Sequence, residues 1–154
     1  MNYLSCQITF REIPDEVCLS ILVTGCPLRC VDCNSKDSWR QDNGFVLNET
    51  TFVEILQKKQ NWITCVLFLG GEWNKKELIQ FLEITKSKKL KTALFTGLTE
   101  IDEDLKNNLD FLKTGPYIKS LGGLESPTTN QKLIHIQSGK KINHFKEEFI
   151  DQIK

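Results

Sequence analysis

Three cysteines stand within eight residues, in the run Gly25-Cys26-Pro27-Leu28-Arg29-Cys30-Val31-Asp32-Cys33-Asn34, separated by three and then two residues. Thiolates spaced this closely on one loop can fold around a single metal centre. A 4Fe-4S cluster ordinarily takes four cysteine ligands, so three would leave one iron open to another molecule. A structural zinc site is the alternative. It wants four closed ligands, usually in paired motifs, and the sequence holds no second Cys-x-x-Cys. Cys6, Cys18 and Cys65 are the other thiols that could complete a set. Cys65 falls inside an apolar run and the first two lack metal spacing, so buried packing is expected of all three. The residues favour an iron–sulfur site on Cys26, Cys30 and Cys33.

A second stretch carries chemistry, Phe68-Leu69-Gly70-Gly71-Glu72. Glycines let main-chain groups approach a ligand, and an acid beside them suits an ammonium; a plain turn is the simpler alternative. The elements that must position both stretches alternate along the chain. Leu19–Thr24, Ile63–Leu69 and Lys91–Thr96 read as buried strands, each stopped by glycine. Thr51 with Glu54 resembles a capping box ahead of Phe52, Ile55 and Leu56 at helical spacing. Asn74 with Glu77 repeats the pattern ahead of Leu78, Phe81 and Leu82. A short helix near Ile101–Asn107 and a strand near Phe111-Leu112 follow. Strand–helix alternation predicts a parallel sheet in a single domain spanning 1–154. A closed eight-fold barrel needs at least about 200 residues, so an open partial barrel or a small doubly wound sheet is expected. In either, chemistry gathers at the C-terminal ends of the strands, where the cysteine and glycine stretches both fall.

Twenty basic and twenty acidic residues cancel, which argues against a surface that tracks nucleic-acid phosphates. No apolar run is long enough for a membrane span, and the first residues lack the basic and apolar regions of a signal peptide. The expectation is a cytoplasmic protein with reduced thiols.

The spacing Cys26-x-x-x-Cys30-x-x-Cys33 after a strand resembles the signature of the radical S-adenosylmethionine superfamily. Gly70-Gly71-Glu72 resembles that superfamily's glycine loop, with Trp73 where many members carry proline. Leu94-Phe95-Thr96-Gly97-Leu98, Asp110–Tyr117 and Ser126–Lys132 are similar to segments of the enzymes that activate anaerobic ribonucleotide reductase. The resemblance implies a partial, open (β/α) barrel with a mostly parallel sheet. It implies three thiolates holding a 4Fe-4S cluster whose fourth iron chelates S-adenosylmethionine, and the installation of a glycyl radical on anaerobic ribonucleoside-triphosphate reductase. An electron donor such as flavodoxin or ferredoxin follows from the same resemblance. Gly70, Gly71 and Glu72 would grip the methionine end, with Thr96 at the neighbouring strand end; Asp32 and Asn34, flanking Cys33, would touch the adenosine side. An activase of another glycyl-radical enzyme, a small-molecule radical enzyme and a zinc-stabilised interaction module are the alternatives.

The remaining conspicuous residues have plainer readings. Trp39, Trp62 and Trp73 are expected to pack in the core or at its rim, with Trp73 set apart because it borders the glycine loop, and His135 and His144 lack metal-site company. Lys86, Lys88, Lys89 and Lys91 read as a solvated helix end. Phe145, Phe149 and Ile153 recur four apart, as in an amphipathic helix that caps the sheet or docks a partner.

Overall fold

Cys65–Leu69 is a deeply buried strand near the middle of the sheet, which extends outward from it on both sides. The computed structural model describes residues 1–143. His144 and the apolar repeat Phe145, Phe149 and Ile153 lie outside the described residues. The strands are β1 (Asn2–Thr9), β2 (Cys18–Val23), β3 (Phe45–Val46), β4 (Cys65–Leu69), β5 (Lys91–Phe95), β6 (Phe111–Thr114), β7 (Lys132–His135) and β8 (Lys140–Lys141). Three helices join them: α1 (Glu49–Lys59), α2 (Lys75–Ser87) and α3 (Glu103–Lys106).

The eight strands form one sheet in the order β3-β1-β2-β4-β5-β6-β7-β8. The central four, β2, β4, β5 and β6, are parallel, with crossovers that carry the helices. The sheet is mixed, which corrects the expectation of a mostly parallel one: three described pairings are parallel and four antiparallel. Two of the antiparallel additions follow from connectivity. The links from β1 to β2 and from β7 to β8 are too short for a crossover, so the chain can only reverse. The sheet does not close on itself, since β3 and β8 are its two edges.

Side chains alternate across the strands, giving two cores. On the helix side, Leu19, Ile21, Val23, Val66, Phe68, Leu94 and Leu112 meet Phe52 and Leu56 of α1 and Leu78, Phe81 and Leu82 of α2. Phe52, Phe68 and Phe81 form the centre, with ring centroids 4.8–6.2 Å apart. On the opposite side Ile13, Cys18, Cys65, Leu67, Ala93, Phe111 and Leu133 make a smaller core. Leu69, Phe95 and Lys113 continue this second face toward the C-terminal ends of the parallel strands, where both sequence motifs arrive.

The cap of α1 differs from the one expected. Asn48 is the N-cap, and its Oδ1 accepts from Thr51 N–H at 2.9 Å, so Thr51 receives the cap instead of supplying it. Asn48 is exposed, and its Oδ1 also accepts from the Thr51 hydroxyl at 3.1 Å, so its side chain serves the cap alone. Asn48→Ala should therefore cost about 1 kcal/mol, read as a lower urea midpoint at constant slope. Asn74 is the N-cap of α2, as its position suggested, although its side chain makes no capping bond. Trp62 is 73% exposed, against the packing expected of it. Lys91 departs from its solvated neighbours by pairing with the buried Glu16 carboxylate at the N-terminal edge of the sheet. Among the described residues no helix is long and apolar enough to cross a membrane.

Candidate metal centre

The strand β2 ends at Val23, and Thr24-Gly25 turns the chain into the cysteine loop. Ser38 O anchors the start of this loop, accepting from Gly25 N–H at 2.7 Å and Cys26 N–H at 3.3 Å. Arg29 turns it through a left-handed φ of 45°, and Cys33 N–H donates to Cys30 O at 3.0 Å. Cys26, Cys30 and Cys33 are all partly buried. Gly97, just past β5, lets the loop lie against the strand ends. A Cβ there would stand 2.7 Å from Leu28 Cδ1 and 3.9 Å from Cys30 Sγ.

The three sulfurs do not converge: among the described residues no three His, Cys, Asp or Glu side chains group as metal ligands. Metal–ligand bonds themselves complete such loops, and the donor set otherwise fits a thiolate-bound cluster. Cys33 Sγ accepts from Ser35 N–H at 3.3 Å, the kind of N–H···S contact that tunes iron–sulfur centres. Burial holds the Cys26 thiol above its ordinary value; the N–H groups of Leu28 and Arg29 oppose this, and the charges of Glu72 and Cys30 add to it. Iron bonding replaces that proton and relieves the burial cost of a bare thiolate.

No other described cysteine supplies a fourth ligand. Cys18 and Cys65 face each other as cross-strand partners at the opposite, N-terminal ends of β2 and β4, fully buried. Cys6 lies within β1 opposite Ile21 and packs toward the helix-side core. His135 is occupied with Ser138 Oγ at 2.8 Å, beyond the far end of the site.

The glycine loop follows β4 in left-handed backbone, φ 80° at Gly70 and 111° at Gly71, a region glycine enters without strain. It delivers Glu72 to the neighbouring strand end. There Glu72 Oε1 accepts from the Thr96 hydroxyl, whose oxygen in turn accepts from Leu98 N–H at 3.0 Å. Glu72 Oε2 is buried without a partner. Burial pushes the Glu72 carboxyl up, opposed by the Thr96 hydroxyl and the Lys113 charge. The structure thus brings Glu72 and Thr96 together beside Cys26 and Cys30. It leaves Asp32 and Asn34 exposed on the loop, with Asp32 Oδ2 accepting from Lys119 N–H at 3.4 Å.

Lys113 lies within the Asp110–Tyr117 segment, and no motif in the sequence marks it as part of the site. Its Nζ donates to Thr96 O at 3.3 Å and lies 6.0 Å from the Phe95 ring centroid. Burial pushes the amine down to about 8, opposed by the negative charges of Cys30 and Glu72. A lysine in a strand that otherwise buries its neighbours was the available signal.

Three thiols on a loop over the C-terminal ends of the four parallel strands, with one acid and one amine beside them, make a candidate metal–thiolate centre in an α/β protein. A family described as a 4Fe-4S single cluster domain matches residues 16–138, and the chain belongs to that family. The match spans the cysteine loop, the glycine loop and Lys113, and the family is that of a single 4Fe-4S cluster domain. No curated protein matches the chain.

Proposed function

We propose that the chain is a radical S-adenosylmethionine enzyme that activates anaerobic ribonucleoside-triphosphate reductase, with Cys26, Cys30 and Cys33 holding the cluster. The observation that carries this reading is a three-thiol loop with no fourth protein ligand among the described residues, beside the Glu72 carboxyl and the Lys113 amine, which both contact Thr96. When bound, the cluster and S-adenosylmethionine supply, with one electron from a flavodoxin or ferredoxin, methionine and a 5′-deoxyadenosyl radical able to take hydrogen from a partner glycine.

The chain's own residues then bind and orient. The methionine end of the ligand carries an ammonium and a carboxylate, and Glu72 and Lys113 present the two complementary charges. Thr96 fixes Glu72 by donating to Oε1, leaving the carboxylate's other oxygen to be satisfied. Gly70 and Gly71 bring main chain close to the same end. Asp32 and Asn34 are offered to the adenosine side from the exposed part of the loop. Apolar side chains around this loop stay in solvent: Leu28 is 37%, Val31 85% and Ile118 36% exposed. Such an apolar rim beside an open sheet suits a protein partner better than an enclosed small substrate.

The test is anaerobic reconstitution with iron and sulfide, reduction, and electron paramagnetic resonance before and after S-adenosylmethionine. The expected result is a reduced-cluster signal that changes on addition, formation of 5′-deoxyadenosine, and a glycyl-radical signal once the reductase is added. A colourless protein with stoichiometric zinc overturns the reading. A glycyl radical formed on a different partner keeps the chemistry and changes the target.

A further inference from the structure

Trp73 stands out among the tryptophans because it borders the glycine loop, and its ring touches both loops of the site. A Cβ added at Gly70 would stand 2.5 Å from its Cη2, and one at Gly25 would stand 3.2 Å from its Nε1. The indole N–H donates to Thr24 O at 3.2 Å. Thr24 and Gly25 lead directly into Cys26, and the same stretch is held from its other side by Ser38 O and, through the Thr24 hydroxyl, by Gln41 O at 3.2 Å. Both positions under the ring are glycines with left-handed φ, 91° at Gly25 and 80° at Gly70. A side chain at Gly70 would displace the indole and one at Gly25 would crowd it, so the ring sits against both loops where they carry no side chain. Trp73 also directly follows Glu72, so a backbone shift that carries the indole carries Glu72 with it.

We propose that Trp73 is a positioning residue that locks the Gly70–Glu72 loop to the base of the cysteine loop and so sets where Glu72 stands relative to Cys26. The consequence for ligand binding rests on the S-adenosylmethionine reading above; the mechanical link between the loops does not. A ring with an N–H does what proline at this position cannot, since proline offers neither a donor nor a surface broad enough to reach Thr24 and Gly70 together.

Two variants separate the contributions: Trp73→Phe keeps a ring and loses the donor, while Trp73→Ala loses both. Trp73→Phe remains the test if Trp73→Ala does not fold. The first measurement is amide hydrogen exchange on the full chain. Exchange should quicken at Thr24–Cys26 and at Gly70–Glu72 together, with β4 and α2 unchanged. The second is the S-adenosylmethionine concentration that half-changes the reduced-cluster resonance signal, which should rise about tenfold in Trp73→Phe while iron and sulfide content hold. A merely structural tryptophan would lower the melting temperature and cluster yield without moving that concentration. Faster exchange in only one loop, or an unmoved half-saturation, overturns the proposal. Coupled exchange in a protein whose wild type ignores S-adenosylmethionine supports the link and sinks the functional reading instead.

Discussion

Cys30→Ala is expected to fold normally and to hold almost no iron. The wild-type chain should take up about four iron and four sulfide per molecule on reconstitution; the variant should fall to background, and reductive cleavage of S-adenosylmethionine should drop by more than about a hundredfold. Cys30 carries this prediction best because its carbonyl and its sulfur both define the loop. The carbonyl accepts from Cys33 N–H, and the sulfur lies over the bare Gly97 at the end of β5. The thiol is only partly buried and belongs to neither core, so far-UV circular dichroism and the urea midpoint should barely move. Cys65→Ala is the matching control with the opposite signature. That thiol is fully buried in the smaller core beside Cys18. Its loss should cost about 1–2 kcal/mol of stability and leave iron content at the wild-type level. Full cluster in Cys30→Ala, or lost cluster in Cys65→Ala, would place the ligands elsewhere and remove the basis of the proposed function.

The contrast between those cysteines shows what could be read before the structure. Strands buried on both faces announce themselves as continuous apolar runs, and β2, β4 and β5 were legible for that reason. The outer strands were not. β1 alternates polar and apolar residues along Asn2–Thr9, while β7 and β8 are short and rich in lysine. Their pairing is decided by neighbours across the sheet, which a window along the chain does not contain. The cap of α1 was misplaced by three residues because Asn48 and Thr51 are both good capping residues, and only the backbone angle, extended at Asn48, chooses between them. In the site, the cysteine and glycine stretches are local in sequence and so could be found. Trp73 and Lys113 act through atoms 49 and 17 residues away, at Thr24 and Thr96. Contacts of that separation are made by the fold, so the sequence marks Trp73 only by its place beside the glycine loop and gives Lys113 no visible role.

Lys113→Met should make the protein more stable and worse at binding S-adenosylmethionine. Lys113 shares the face of β6 with the buried Phe111, and its amine is pressed down to about 8 by burial. The ordinary lysine value is about 10.4. Below pH 8 both folded and unfolded chains carry the proton, so the cost of holding a poorly solvated ammonium is fully present. Between about 8 and 10.4 the folded chain releases it first, and the unfolded state then binds more protons. Wild-type stability should therefore rise with pH across this window relative to Lys113→Met. At pH 7 the methionine variant should be the more stable by about 1–2 kcal/mol, measured on the chain before iron and sulfide are added. The gap should narrow toward pH 10. Ligand binding moves the other way. A charged hydrogen bond to the ligand's carboxylate is worth about 1.5–3 kcal/mol, so affinity for S-adenosylmethionine should fall by roughly ten- to a hundredfold with cluster content unchanged. A residue retained for packing would show the reverse pair of signs, lower stability and unchanged affinity, and that result would strip Lys113 of its role. Opposite movements in one substitution mark a charge that the fold tolerates only because the site requires it.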